Sequence, residues 1–223
     1  SSAASDVYKR QDWKGKPRNL GDIKAQIEEE KRYNASRPDI AGRDEFGGLA
    51  GSAGSAPKTE GFTTAKVGGK WYFRDPDGNL FWSIGVTGVG GFESTPITDR
   101  EFYFEKIDPA YVSKGRGYKP GTDYYNREIK SYALGRRNVE LKYGPDGAKN
   151  YWKVAAERFK KWGLNTYGAW SAYSVVASDT VPFTAYLGSA GAAPLKTKRK
   201  LYALWGNLSL IHISEPTRLG MIS

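Results

Sequence analysis

Cysteine is absent from the chain, and histidine and methionine occur once each. Without cysteine there is neither a disulfide framework nor a thiolate zinc site. One histidine leaves little material for a metal cluster or a catalytic triad, so no metal and no cofactor is expected. No apolar run approaches the ~20 residues of a membrane helix, and no membrane partner is expected. Even His212 and Met221 lie in a stretch that does not read as natural protein. Asp6-Val7-Tyr8-Lys9-Arg10-Gln11 can be encoded GAT GTG TAT AAG AGA CAG, whose reverse complement translates as Leu-Ser-Leu-Ile-His-Ile, the hexapeptide at residues 208–213. Inverted transposase ends flanking a sequencing-library insert, read in frame, produce this relation. Residues 1–11 and 208–223 are therefore read as adapter-derived scar and set aside.

What remains is an insert of residues 12–207 with no Cys, His or Met. Removing Lys9, Arg10 and Arg218 takes lysine plus arginine from 34 to 31, and removing Asp6 and Glu215 takes the acids from 24 to 22, leaving a net charge of +9. A surplus of that size suits an anionic partner, whether nucleic acid or an acidic polysaccharide. All seven tryptophans lie in the insert. Large aromatic faces fill cores, but they also stack on sugars and bases.

Three kinds of local signal are readable. Asn19 caps a helix over residues 19–34, with Asp22 in its first turn, Leu20, Ile23 and Ile27 on one face, and Glu28 four residues before Arg32. Residues 47–57, built from Gly, Ser and Ala, read as a flexible linker, giving an N-terminal region of 12–57 and a packed domain of 58–207. Residues 62–66 and 71–74 flank Gly68-Gly69 as a β-hairpin, and Asp75-Pro76-Asp77-Gly78 marks a second turn. Residues 80–89 suit a strand buried on both faces. Residues 92–147 form a long polar and aromatic insertion without a readable pattern. After it, Trp152, Ala155, Ala156 and Phe159 define an amphipathic helix that ends at Gly163. Residues 164–170 and 182–187 read as strands. Alternation of strand, helix and strand predicts an α/β fold with a parallel sheet.

Three stretches resemble agarase-type enzymes of glycoside hydrolase family 50. The first is Gly61-Phe62 with Lys70-Trp71-Tyr72-Phe73-Arg74-Asp75-Pro76-Asp77-Gly78-Asn79-Leu80-Phe81-Trp82-Ser83-Ile84-Gly85-Val86. The second is Thr95-Pro96-Ile97-Thr98-Asp99-Arg100-Glu101. The third runs from Leu141-Lys142-Tyr143-Gly144 to Arg158-Phe159-Lys160-Lys161-Trp162-Gly163-Leu164-Asn165-Thr166-Tyr167-Gly168-Ala169-Trp170-Ser171. Ala169 departs from the pattern, which has a polar residue there. The resemblance spans residues 44–187 and implies a partial (β/α)8 TIM barrel, about its first three strands, preceded by the hairpin and the N-terminal helix.

It also implies hydrolysis of a β-linked galactan such as agarose, sulfated or neutral, by an enzyme that is secreted or periplasmic. Two carboxylates about 5–5.5 Å apart would do the chemistry in a retaining enzyme, and the resemblance puts them near the ends of the fourth and seventh strands. None of the three candidate strand ends supplies one, so the fragment is expected to lack catalytic residues. The residues expected to touch polysaccharide are Thr87 and Glu93 after the first strand, Trp170 and Ser171 after the second, and Tyr186 at the end of the third. Three of these have a blander role available: core packing for Trp170, a helix N-cap for Ser171, a solvated loop for Glu93. Asn165, inside a strand, is expected to order the barrel. Gly85, Gly88, Gly90 and Gly91 do not form the G-x-G-x-x-G of a dinucleotide site. Two alternatives remain. One is a noncatalytic carbohydrate-binding module, the other a nucleic-acid binder using the basic run at residues 196–200, which lacks a recognised motif and is not favoured.

Overall fold

Glycine at positive φ decides where the chain first doubles back. Gly68 and Gly69, at φ of 57° and 81°, form the two-residue turn that the right-handed twist of a hairpin favours. The computed structural model describes residues 14–117, 119–186 and 196–203. In chain order these form α1 (Leu20–Ser36), the hairpin strands β1 (Thr63–Val67) and β2 (Lys70–Arg74), then β3 (Leu80–Phe81) and β4 (Gly85–Val86). Next come β5 (Thr95–Pro96), β6 (Val112–Arg116), β7 (Glu128–Tyr132) and α2 (Leu134–Tyr143). The last are α3 (Tyr151–Trp162), β8 (Thr166–Tyr167), α4 (Tyr173–Val176), β9 (Phe183–Tyr186) and β10 (Lys200–Ala203). The described residues fall into two compact units, one holding those up to Arg37 with Phe92–Tyr151, the other Pro38–Gly91 with those from Trp152 onward.

The second unit carries the parallel sheet. Its strands lie in the order β10-β9-β8-β4, with β4 parallel to β8, β8 to β9, and β9 to β10. Neighbours in the sheet are therefore successive parallel strands, the arrangement that strand–helix alternation produces. Among the described residues there are four of them, one more than the sequence suggested, because the chain re-enters the sheet at Lys200, inside what reads as a basic surface run. Phe159 of α3 meets the buried Tyr167 ring edge-on at 4.6 Å, and Phe183, Ala185 and Val175 complete the core. The antiparallel sheet β1-β2-β3 stands beside it in sequence, with Phe81 buried against Phe62 at 4.8 Å.

Two further expectations for this unit differ from what is observed. Residues 80–89 do not form one strand buried on both faces. Leu80–Phe81 joins the hairpin sheet, while Gly85–Val86 joins the parallel sheet with β8 as its one described neighbour, leaving Ile84 and Val86 exposed. Residues 47–57 are folded against the second turn: Leu49 N–H donates to Leu80 O at 2.8 Å, Ala53 N–H to Asn79 Oδ1 at 3.0 Å, and Leu80 N–H to Ser52 Oγ at 2.7 Å. Small residues there serve close approach of two backbones as well as turning.

In the first unit, α1 begins with a full capping box between Asn19 and Asp22. Glu28 pairs with Lys31 at 2.9 Å, one residue nearer than the Arg32 that its spacing suggested. The unreadable insertion contains an antiparallel sheet in the order β5-β7-β6, packed around Ile97 and Tyr132. Glu140 of α2 accepts from Tyr111 Oη at 2.7 Å and from Arg136 Nε at 2.8 Å.

Candidate substrate-binding site

Parallel strands all present their C-terminal ends on one side, so the loops after β4 and β8 emerge together. They are also bonded together. Gly168 N–H donates to Val86 O and Gly88 N–H to Ala169 O, each at 2.8 Å. Ser171 then clasps both loops: its hydroxyl donates to Gly168 O at 2.8 Å and accepts from Val89 N–H at 3.2 Å. The cap position of α4 is Ala172, so Ser171 is not the helix N-cap; its hydroxyl is spent on holding the loops. Trp170 rides on this clasp at φ 59°, with 74% of its surface exposed among the described residues. Thr87 is exposed on the first loop.

The structure thus brings Thr87, Trp170 and Ser171 onto one pair of bonded loops. Tyr186 ends β9 with its backbone in register with Ala203, and its side chain lies outside the described residues. Glu93 is exposed and belongs to the other unit. Among the described residues, no cluster of three or more His, Cys, Asp or Glu is placed to hold a metal. No described helix is long and apolar enough to cross a membrane.

The opposite, N-terminal ends of the strands are held by Asn165. Its amide donates to Gly47 O at 3.0 Å and Trp82 O at 2.9 Å, and its oxygen accepts from Ile84 N–H at 2.8 Å and Thr166 Oγ1 at 3.1 Å. Every group it offers is engaged within the fold, as expected of a residue that orders the strands. A cavity of about 430 Å³ opens beside it, lined in part by Ile40, Phe46, Phe159 and Arg199. Arg199, from the basic run, is committed there. It stacks on Phe46 at 4.7 Å, donates to Glu45 O at 3.0 Å, and pairs at longer range with Glu45 and Asp179.

One carboxylate pair escaped the sequence reading. Asp75, in the second turn, is completely buried, and Asp44 lies against it. Burial first, then contact with Asp44, raises the Asp75 carboxyl to about 7. This pair does not resemble glycosidase machinery, because no substrate can reach a carboxyl with 0% exposure. The Asp-Pro-Asp-Gly motif marks Asp75 as a turn residue, but a partner 31 positions upstream leaves no local trace.

The fold and loops described define a chain of mixed helices and sheets, with the candidate site at the C-terminal ends of the strands of its one described parallel sheet. In sequence the chain is similar to Beta-agarase A of Vibrio sp. (strain JT0107), 26% identical over 196 residues that make up 78% of this chain. It is 29% identical to Beta-agarase B of the same organism over 163 residues, 61% of this chain. These spans are 19% and 17% of the two relatives' lengths. No protein-family model matches. Among solved structures, the agarase AgWH50C superposes with a TM-score of 0.64 at 20% identity, covering 83% of this chain and 31% of that one. An exo-beta-agarase gives 0.67 at 19% identity, over 81% and 31%. PfGH50B gives 0.63 at 24% identity, over 79% and 28%. The chain is agarase-like in sequence and in fold, and spans less than a third of each of these proteins.

Proposed function

We propose that residues 12–207 are the N-terminal part of the catalytic (β/α)8 barrel of a glycoside hydrolase that cleaves a β-linked galactan such as agarose, and that the fragment itself is inactive. The observation that carries this reading is the sheet: four parallel strands in consecutive order, with Trp170 and Thr87 on bonded loops at their C-terminal ends. The agarase likeness supports it along most of the chain. A parallel sheet also favours it over a carbohydrate-binding module, since such modules are mostly antiparallel β-sandwiches.

The fourth strand sharpens the expectation for the missing chemistry. If β10 is the fourth barrel strand, its end lies at Ala203, and Leu204, Trp205, Gly206 and Asn207 contain no carboxylate. The family pattern then calls for a glutamate within the first few codons beyond 207. Sequencing the source DNA past that point tests this directly. A glutamate there, in a frame that continues through further strand–helix units, gives the residue to replace by glutamine. That replacement in the extended protein is expected to abolish agarose hydrolysis by several orders of magnitude while leaving binding intact. A stop codon at once would overturn the enzymatic reading and favour a noncatalytic protein.

A further inference from the structure

The turn between β2 and β3 and the segment over residues 42–57 meet at four carboxylate oxygens. Asp75 Oδ1 accepts the N–H groups of Asp77 and Asn79, both at 3.0 Å. Asp44 Oδ1 accepts those of Phe46 at 2.9 Å and Gly48 at 2.8 Å, and its Oδ2 accepts Asn79 Nδ2 at 2.8 Å. Asp75 Oδ2 is left: it is buried and receives no donor among the described residues. Gly48 covers the spot, since a Cβ there would overlap Asp75 Oδ2 and stand 3.0 Å from Asp44 Oδ2. Two acceptor oxygens therefore lie close together, that of Asp75 shut off from solvent and Asp44 half-buried, where an unbridged contact is unfavourable.

We propose that Asp44 and Asp75 share one proton, carried on Asp75 Oδ2 and donated to Asp44, and that this proton fastens residues 42–57 to the β2–β3 turn. The position of the proton follows from the donors. Asp44 already accepts three N–H bonds and is the better anion; Asp75 Oδ1 is filled by two, which leaves Oδ2 as the protonated atom. A cation is the other possible bridge, but Asn79 presents its NH2 to Asp44, and among the described residues no third acidic ligand completes a shell. The remaining charged side chains of the two segments point to other partners. Arg43 donates to Gly47 O at 2.7 Å and Arg74 to Gly78 O; Asp77 pairs with Lys58 at 2.8 Å, and Glu45 with Arg199 at 3.8 Å.

The direction of the pH effect follows. Burial and the Asp44 charge raise the Asp75 carboxyl to about 7, whereas Asp44, against its own burial, is held low by bonds from Asp75, Asn79, Gly48 and Phe46. An acid raised in the folded state binds its proton on folding between the ordinary carboxyl range, about 4, and about 7. The folding equilibrium constant therefore falls, by up to about tenfold per pH unit, as pH rises through that window, and levels off above it. Below the window, protonation of Asp44 removes stability again.

The test uses the full chain, its Asp75→Asn and Asp44→Asn variants, and unfolding midpoints between about pH 5 and pH 8. Asparagine at 75 keeps an oxygen for the two N–H groups and offers NH2 where the acid offers O–H. The expected result is a midpoint that declines with pH in the parent chain, stays flat in Asp75→Asn, and is lowered throughout in Asp44→Asn. An equally sloping Asp75→Asn variant would overturn the proposal. So would a midpoint rise at pH 8 on adding Ca²⁺ alone, which would assign the bridge to a cation. Infrared spectra of carboxyl-labelled aspartate at pH 6 give a readout independent of melting: a protonated-carboxyl band in the parent, absent in Asp75→Asn, is expected, and its absence from the parent would refute the shared proton. None of these outcomes depends on the galactanase reading.

Discussion

Trp170 combines a left-handed backbone, at φ 59°, with a ring that is 74% exposed. A bulky residue in that region costs of order 1–3 kcal/mol, and such strain persists where surrounding structure enforces it. Here the Ser171 clasp and the Gly88–Ala169 bond enforce it. Glycine at this position would relieve the strain, so stability selection alone does not account for tryptophan. We expect Trp170→Gly to leave the stability of the extended protein unchanged or raised by about 1 kcal/mol, while weakening its affinity for agaro-oligosaccharides at least tenfold. Calorimetric melting and isothermal titration read the two effects separately. Unchanged affinity would remove Trp170 from the site. The sequence made this residue visible because a strand precedes it. What it could not reveal was that Ser171 is spent on the loops, because its two partners, Gly168 and Val89, are 3 and 82 positions away. Asn165, expected inside a strand, stands immediately before β8 and is buried, and a buried amide must satisfy its groups within the fold.

At the scale of elements, legibility tracks the distance over which each one is decided. The α3 helix is decided locally: four apolar positions on one face and a glycine stop suffice, and Phe159 is 4% exposed, as that face requires. Truncating it removes the ring that meets Tyr167 and opens a cavity in the parallel-sheet core. Phe159→Ala is expected to cost about 3–5 kcal/mol, a large part of a domain's usual stability. Lys160→Ala, on the exposed face, is expected to change it by less than about 0.5 kcal/mol. Denaturant midpoints at constant slope distinguish the two, and equal effects would mean that α3 does not pack through this face. The sheet β5-β7-β6 was not legible, since β5 is two residues long and pairs with Tyr132 and Ser131 far along the chain. The split of the 80–89 run was hidden for a related reason. An apolar run states that burial occurs, but not which of two sheets supplies it; Phe81 and Val86, five residues apart, join different sheets.

At the scale of the whole molecule, the parallel sheet has two ends, β4 and β10, and within the described residues neither acquires a second neighbour. At the β4 end Trp82 is 61% and Val86 47% exposed, with Ile84 between them. A strand that presents unpaired backbone groups beside exposed apolar side chains invites pairing with another chain. Opposing this is the net charge of +9 on residues 12–207, which keeps copies apart at low ionic strength. Salt shortens the reach of that repulsion to about 10 Å at 0.1 M and about 3 Å at 1 M, but leaves the apolar edge unaffected. Residues 12–207 alone are therefore expected to self-associate increasingly as salt is raised, the opposite of the salt response of a nucleic-acid complex. Sedimentation velocity across that range reads the association. The same measurement on a chain extended past residue 207 should find a monomer at every salt concentration, because further strands would cover the edge. A monomer with a sharp, reversible thermal transition for residues 12–207 would mean that the exposed β4 edge is tolerated, and that four parallel strands with their hairpin form a self-sufficient domain.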